Sequence, residues 1–245
     1  MSPASAPKDP LGPPDPSVFI PMVPGQRSVT RRVLRPMLRA WLRLEVEGLE
    51  HVPDEGGVLV ASSHRSHADS VAIASAVHRP VHFLGDLKLT AAPVVGPQLS
   101  RLGMVPLRRG EADDSALGVI RELLRQQGCV AVYPEGSRSR DGRVHRLRSG
   151  VARIAAEMQV PTVPAAAVGI GEVWPVDGKP KPLGGKVIVR FAPAMAPPED
   201  TPRSRRSFNM ELQATLAELA GVEMADSFSA PHGGGDPNAP PSKAS

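Results

Sequence analysis

The sequence predicts a single α/β domain with a largely parallel central sheet flanked by helices. Short, continuous apolar runs alternate along the chain with segments of helical periodicity, which is the pattern of strands buried on both faces. His64 and Glu135 each follow one of these runs, and the carboxyl ends of parallel strands are where such sheets form a cleft. Strands are predicted over residues 44–47, 58–61, 81–84, 104–107, 129–133, 163–168 and 186–191.

Five helices are predicted between and after these strands. Asp69 or Ser70 can cap the first, because either side chain can accept a hydrogen bond from a free backbone N–H. The clearest amphipathic pattern belongs to the third, in which Leu and Ile residues share one face. The helices are predicted over residues 70–78, 93–102, 112–127, 149–158 and 206–220, the second of them irregular.

The two ends of the chain are predicted to be disordered tails. Residues 1–25 are rich in Pro and Ser, and residues 223–245 are rich in Pro, Gly, Ser and Ala, so neither can bury much apolar surface. Residues 44–222 then form the one folded domain of this 245-residue chain, and residues 26–43 form a separate basic segment in front of it.

The basic segment predicts an amphipathic helix. Four arginines recur at every fourth position: Arg31, Arg35, Arg39 and Arg43. Four large apolar side chains share a helical face: Leu34, Met37, Leu38 and Trp41. Pro36 predicts a kink, or a helix that begins there. Such a helix is typical of a membrane-surface element, and the alternative is a helix that packs its apolar stripe on the domain with its arginines in solvent.

Composition argues against several classes of protein. The chain has one cysteine, Cys129, and a single cysteine excludes an internal disulfide and a thiolate metal cluster. Cys129 lies in an apolar run that is predicted as a buried strand. Aromatic residues make up 3% of the chain, which argues against stacking-based binding of single-stranded nucleic acid. Neither a signal peptide nor an apolar run of about 18 residues is visible. We therefore expect a peripheral protein at the cytoplasmic face of a membrane, with no transmembrane span.

The stretch from His64 to Asp69 is the strongest candidate for catalysis. A histidine oriented by a carboxylate can remove a proton from a hydroxyl at neutral pH, so His64 is predicted as a general base and Asp69 as its partner. Two alternatives are open from the spacing alone. Asp69 could only cap a helix while His64 bonds to backbone, or His64, His67 and Asp69 could ligate a metal ion.

A second candidate site follows the strand over 129–133. Gly136 allows a ligand to approach the backbone closely, and Ser137 adds a hydroxyl. Glu135 could orient an arginine or the hydroxyl of a substrate. Arginines, which bind phosphate in bidentate fashion, are concentrated in the loop that follows: Arg138, Arg140, Arg143, Arg146 and Arg148. The loop therefore predicts either a phosphate site or a solvated basic surface.

Two further segments carry weaker signals. Arg108 and Arg109 follow the strand over 104–107, and they could complete a phosphate site or simply be exposed. Residues 160–164 are apolar and rigid, and they either line an apolar channel or belong to the core.

Taken together, these four segments resemble the glycerolipid acyltransferase family, which includes lysophosphatidate acyltransferases. Its blocks occur here in order over roughly residues 44–195, as His-x4-Asp, Gly-x-Val-Pro-Leu-x-Arg, Pro-Glu-Gly-Ser-Arg-Ser and Val-Pro-x-x-Pro. The resemblance implies that His64 is the catalytic base with Asp69 as its partner, and that Pro164 lies near the acyl chain. It also implies an acceptor-phosphate site composed of Arg109, Glu135, Gly136, Ser137 and Arg138.

The activity implied by this resemblance is transfer of a fatty acyl group from acyl-CoA or acyl carrier protein to the free hydroxyl of a lysophospholipid. The implied acceptor is 1-acyl-glycerol 3-phosphate, which gives phosphatidic acid, at an anionic membrane surface and without a metal or other cofactor. The alternatives are the same chemistry on another lipid acceptor, a hydrolase, and a non-catalytic lipid-binding module.

Overall fold

The computed structural model of the chain describes residues 30–91, 95–107 and 113–229. Within these ranges the strands are β1 (Glu45–Glu47), β2 (Val58–Ser62), β3 (Val81–Asp86), β4 (Met104–Leu107), β5 (Cys129–Val132), β6 (Thr162–Val168) and β7 (Ile188–Phe191). The α-helices there are α1 (Arg35–Trp41), α2 (Asp69–Ala76), α3 (Val95–Leu102), α4 (Asp113–Arg125), α5 (Gly150–Met158), α6 (Ile170–Val173) and α7 (Pro202–Ala220).

These strands form one sheet in the order β1-β7-β6-β2-β5-β3-β4. Neighbouring strands run parallel except β6 and β7, which pair antiparallel. The predicted α/β class with a largely parallel sheet is therefore confirmed. Strand β2 lies between β6 and β5, and all five of its residues are buried. The carboxyl ends of β2 and β5 are adjacent, which brings the loops after Ser62 and Val132 together.

The core has two halves, one on each face of the sheet. Val58 and Val60 of β2 belong to one half, and Leu59 and Ala61 belong to the other, because successive side chains of a strand point to opposite faces. The first half packs against α1 and α2. The second half packs against α4, α5 and α7, and it underlies the cleft described below.

The N-terminal helix packs on the domain, and two of its arginines donate hydrogen bonds to carbonyl oxygens of α2. A π-helical turn, Thr30–Leu34, precedes α1, and Pro36 stands in the first turn of α1, as its sequence position predicted. Leu34 and Leu42 are buried against the core. Arg35 donates to the carbonyl oxygen of Ala74 from Nε (3.0 Å) and from Nη2 (2.7 Å), and Arg39 donates to that of Ser75 (3.1 Å).

The expectation that docking would leave the arginines in solvent is therefore wrong for Arg35, whereas Arg39 is exposed although it donates one hydrogen bond to the domain. The last carbonyl groups of a helix have no partner within the helix, and a cation also interacts favourably with that end of the helix dipole. At the end of α2, Arg35 and Arg39 supply both the missing hydrogen-bond donors and the positive charge. Val33 and Met37, by contrast, are 61% and 58% exposed. No helix in the described part of the chain is long and apolar enough to cross a membrane.

The chain after α7 packs against the loop that follows β5. The backbone N–H of Val144 donates to the carbonyl oxygen of Glu223 (3.0 Å), and the N–H of Ala225 donates to the carbonyl oxygen of Val144 (2.8 Å). The N–H of Arg146 donates to the carbonyl oxygen of Ser227 (2.9 Å). Residues 223–229, which the sequence assigned to a disordered tail, therefore pair with a loop of the domain. This correction matters because Phe228 lies at the cleft.

Candidate active site

His64 and Asp69 form a hydrogen-bonded pair directly after β2. Nδ1 of His64 lies 2.8 Å from Oδ2 of Asp69. Asp69 is 1% exposed, whereas His64 is partly open and lines the cleft. The carboxylate favours a proton on Nδ1, which leaves Nε2 as the basic nitrogen. A base held in this way can accept the proton of a bound hydroxyl.

The turn between the two residues is built around the same carboxylate oxygen. The backbone N–H groups of Arg65 and Ser66 each donate to Oδ2 of Asp69 at 2.8 Å. The hydroxyl of Ser66 then accepts from the backbone N–H of Ala68 at 3.0 Å. Asp69 therefore does not cap its own helix. The same buried carboxylate holds the turn that precedes it and orients the imidazole of His64.

Tyr133 lies against the imidazole of His64. The rings of His64 and Tyr133 are stacked with their centroids 4.0 Å apart. The Tyr133 hydroxyl is 2.8 Å from Oγ of Ser70, in the first turn of α2. Burial, followed by the nearby charge of Asp69, raises the pKa of Tyr133, so it stays a neutral phenol. Tyr133 therefore fixes the plane in which the imidazole lies.

Glu135 connects two loops from beneath the site. It is fully buried, and its Oε1 accepts a hydrogen bond from the backbone N–H of His64 at 2.9 Å. Its Oε2 accepts from the backbone N–H of His145 at 3.0 Å. Burial raises the pKa of this carboxyl, although both hydrogen bonds act in the opposite direction. With both oxygens engaged, Glu135 positions His64 instead of contacting a substrate phosphate.

The other residues expected to bind phosphate lie at the turn beyond Glu135. Gly136 lines the cleft with a φ of +78°, and its N–H closes a turn onto the carbonyl of Tyr133 at 3.0 Å. A Cβ at this position would stand 2.3 Å from Nε of Arg148, so the glycine makes room for that guanidinium. Ser137 is buried, and its hydroxyl has no hydrogen-bond partner among the described residues.

Arg138 is close enough to affect two rings of the site. Its charge contributes to a lowered pKa of His67, behind the larger effect of burial, and it partly offsets the raised pKa of Tyr133. Neither Ser137 nor Arg138 is among the residues that line the cleft. Arg109 lies outside the described residues.

Two other sequence expectations concern Pro164 and His67. Pro164 is buried in β6 beside Ala61, on the sheet face that carries the cleft, but it does not line the cleft itself. His67 is exposed, and its Nε2 lies 3.0 Å from the carbonyl oxygen of Val176. Among the described residues, no three His, Cys, Asp or Glu side chains are arranged to hold a metal ion.

A cleft of about 900 Å³ opens beside His64. Its floor is apolar and comes from β2, β3, α4 and α5: Leu59, Leu84, Leu117, Ile120, Val151 and Ile154. Arginines line its walls: Arg146, Arg148, Arg153, Arg205 and Arg206. A pocket with an apolar interior and a few convergent charged groups suits an amphiphilic ligand with a phosphate.

Several of these residues were not predicted as part of the site. Arg146 and Arg148 were visible only as members of a basic loop, and the structure separates them from Arg140 and Arg143, which pair with Asp177 and Asp141. Arg206 and Phe228 follow the last recognised block, and no local pattern in the sequence connects them to the site. Tyr133 immediately precedes the third block, and this position is the one sequence feature that places it near the site.

Comparisons with known proteins agree with this geometry. A 1-acyl-sn-glycerol-3-phosphate acyltransferase from Brassica napus chloroplasts is 32% identical over 136 residues, which is 54% of this chain and 39% of that protein. The chain thus spans about two fifths of the length of that relative. The 1-acyl-sn-glycerol-3-phosphate acyltransferase of Pseudomonas aeruginosa is 26% identical over 199 residues, with 78% of this chain and 76% of that protein covered.

The crystal structure of the 1-acyl-sn-glycerophosphate acyltransferase PlsC from Thermotoga maritima has the same fold. The TM-score is 0.60 at 24% sequence identity, and the match covers 81% of this chain and 84% of that one. Residues 43–168, just over half of the chain, match the Acyltransferase family. That segment contains the His64–Asp69 pair, Tyr133 and Glu135. The chain therefore belongs to the Acyltransferase family.

Proposed function

We propose that the protein transfers a fatty acyl group from a thioester donor, acyl-CoA or acyl-acyl carrier protein, to the free hydroxyl of 1-acyl-glycerol 3-phosphate. The product would be phosphatidic acid. The observation that carries the proposal is the His64–Asp69 pair, 2.8 Å apart, at a cleft with an apolar floor and arginine walls. The names of the relatives support the choice of acceptor.

In this reaction His64 acts first as a base and then as an acid. Its Nε2 takes the proton of the acceptor hydroxyl while the hydroxyl oxygen attacks the thioester carbonyl carbon. The C–O bond forms, the C–S bond breaks, and the thiolate takes the proton back from the imidazolium. Asp69 stabilises the imidazolium in between, and no metal or redox cofactor takes part.

The acceptor phosphate would bind at the turn that begins with Gly136, where Ser137 and Arg138 lie next to the catalytic loop. We include Arg109 in this site because it follows β4, whose carboxyl end is on the same edge of the sheet. Fixing the phosphate in this way would place the nearby hydroxyl against His64 and reduce the entropic part of the barrier. Pro164 would lie behind the apolar floor that holds the acyl chain.

The enzyme would act as a peripheral protein on the cytoplasmic face of an anionic membrane, where its lipid acceptor and its donors meet. Val33 and Met37 are exposed on the N-terminal helix and are available for such contact. Arg32 and Arg43, which are also exposed there, would interact with anionic lipid.

The test supplies the purified protein with oleoyl-CoA or oleoyl-acyl carrier protein and 1-oleoyl-glycerol 3-phosphate, and it measures free thiol and phosphatidic acid. Equal amounts of the two products are expected. Thiol release without phosphatidic acid would instead indicate a hydrolase. No turnover with either donor and a series of lysolipids would overturn the proposal. Product from other lysolipids but not from lysophosphatidate would assign the same chemistry to another acceptor.

A further inference from the structure

The arginines on the walls of the cleft differ in how far their charge is already neutralised. Arg205 pairs with Asp200, and Arg153 pairs with Glu157. For Arg148 and Arg206, the structure shows no carboxylate partner among the described residues. Arg146 is exposed and lies 3.8 Å from the fully exposed carboxylate of Asp226, a geometry that contributes little in water.

We call Arg146, Arg148 and Arg206 the basic rim. They come from two parts of the chain, the loop before α5 and the first turns of α7. Asn209, one turn after Arg206 on the same face of α7, donates to the carbonyl oxygen of Arg148 at 3.3 Å. This hydrogen bond brings the helix and the loop together at the cleft wall.

Phe228 supports two members of the basic rim from the side. The guanidinium carbon of Arg146 lies 5.4 Å from the centre of its ring, and that of Arg148 lies 6.0 Å away. Cations near an aromatic face are attracted to it, so the ring helps to hold both guanidinium groups beside each other. The ring is 54% exposed and lines the same cleft.

We propose that the basic rim is a second phosphate-binding site, which adjoins the turn at Gly136 through Arg148 and extends from there to α7. Its ligand is a phosphate group attached to a chain that enters the apolar floor. Arginine rather than lysine at all three positions suits planar, bidentate recognition of phosphate. The proposal rests on the proposed function for the identity of the two molecules that can carry this phosphate, namely the lysophospholipid acceptor and a CoA-type donor.

Part of this site is contributed by the chain beyond the family match. The match ends at residue 168, whereas Arg206 and Phe228 follow it. The cleft is therefore completed by α7 and by residues 223–229, which pair with the loop that carries Arg146 and Arg148.

The test compares Arg206→Gln with Arg203→Gln. Arg203 is exposed one turn earlier in α7 but does not line the cleft, so it controls for the loss of one positive charge. We expect Arg206→Gln to raise the KM for a phosphate-bearing substrate about tenfold with little change in kcat, since loss of one charged hydrogen bond to the phosphate weakens binding of substrate and transition state alike. Arg203→Gln should match the wild type.

Two pairs of substrates identify the source of the phosphate. Oleoyl-CoA is compared with oleoyl-pantetheine, and lysophosphatidate is compared with monoacylglycerol. If the donor is bound, the defect of Arg206→Gln is present with oleoyl-CoA and absent with oleoyl-pantetheine. If the acceptor is bound, the defect is present with lysophosphatidate and absent with monoacylglycerol. Equal KM values for Arg206→Gln and Arg203→Gln with every substrate would overturn the proposal.

A binding measurement separates this proposal from the proposed function. Calorimetric titration of the wild type and both variants with CoA and with glycerol 3-phosphate needs no turnover. Weaker binding of either probe to Arg206→Gln than to Arg203→Gln supports the basic rim even if no acyl transfer is found. Identical binding to both variants argues against it even in an active acyltransferase.

Discussion

Oε1 of Glu135 accepts a hydrogen bond from the backbone N–H of His64 at 2.9 Å, so a buried carboxylate from one strand end holds the residue that we propose as the base at the neighbouring strand end. The other oxygen holds the backbone of His145. One side chain thus joins the loop of His64 to the loop that carries the arginines of the cleft. Glu135 is fully buried and each of its oxygens holds a backbone N–H, so we expect it to act as a positioning residue.

Replacement of Glu135 by Gln should weaken both the fold and the catalysis. The amide has one acceptor oxygen and one donor nitrogen, so the N–H of either His64 or His145 loses its partner. An unsatisfied buried donor costs about 1–3 kcal/mol. We expect the free energy of unfolding, measured in urea, to fall by about that amount, and kcat to fall more than the KM for either substrate changes. Unchanged stability and kcat would contradict this role.

Glu135 should also leave a signature in the pH dependence of stability. Its pKa is raised by burial in the folded state, whereas the pKa of a glutamate in an unfolded chain is about 4.3. The folded state then binds this proton more tightly, so stability should rise as pH falls through the folded-state pKa and level off below about 4.3. Glu135→Gln lacks this titration. Urea unfolding of both proteins at several pH values measures the difference, and a constant difference would contradict the shift.

The class of fold and the contact between His64 and Asp69 could be predicted from local patterns. Strands such as 58–61 and 129–133 are continuous apolar runs because both of their faces are buried, and the carboxyl-end rule placed His64 and Glu135 at one edge. The direction of the Glu135 side chain could not be predicted in this way. It depends on N–H groups of residues 64 and 145, which only the folded backbone brings to one place.

The same reason explains what sequence patterns missed at the cleft. Arg35 has the spacing of a solvated helix face, but carbonyl groups at the end of α2 bind it instead. Arg206 is one of several arginines near the start of α7, and only its position relative to Arg148 distinguishes it from Arg203. The pairing of residues 223–229 with Val144 likewise depends on backbone hydrogen bonds, which composition does not reveal.

Asp69→Asn and His64→Ala should abolish most of the turnover. Loss of a general base typically costs roughly 10²–10⁴-fold in rate. In Asp69→Asn the amide can also donate to Nδ1, which favours the wrong imidazole tautomer. Lysophosphatidate binding, measured by calorimetry, should remain in His64→Ala, because the imidazole acts on the hydroxyl. A His64→Ala variant with wild-type kcat would show that another group is the base.

Tyr133 can be tested with a pair of variants. Tyr133→Leu removes the ring stacked on His64, and since an aromatic pair is worth about 0.5–1.5 kcal/mol, kcat should fall by up to about tenfold. Tyr133→Phe keeps the ring and loses only the hydrogen bond to Ser70, so most of kcat should be retained. The pH profile of kcat should shift in the leucine variant and stay in place in the phenylalanine variant. Equal effects of the two substitutions would contradict positioning by stacking.

The docking of the N-terminal helix predicts an effect on stability. Arg35→Gln removes a charged donor from carbonyl oxygens in the last turn of α2 and in the residues that follow it, including those of Ala74 and Arg79. We expect the free energy of unfolding in urea to fall by about 2 kcal/mol. Arg32→Gln, at an exposed position three residues earlier, should leave it unchanged. Equal stability of the two variants would show that the contact contributes nothing in solution.

The short helix α2 connects the proposed active site to the N-terminal helix. It begins at Asp69, which is hydrogen-bonded to His64, and carbonyl groups of its last turn accept hydrogen bonds from Arg35 and Arg39 of α1. Its 8 residues span about 12 Å. A displacement of α1, for example on contact with a lipid surface, would therefore act on the position of Asp69 through a single rigid helix.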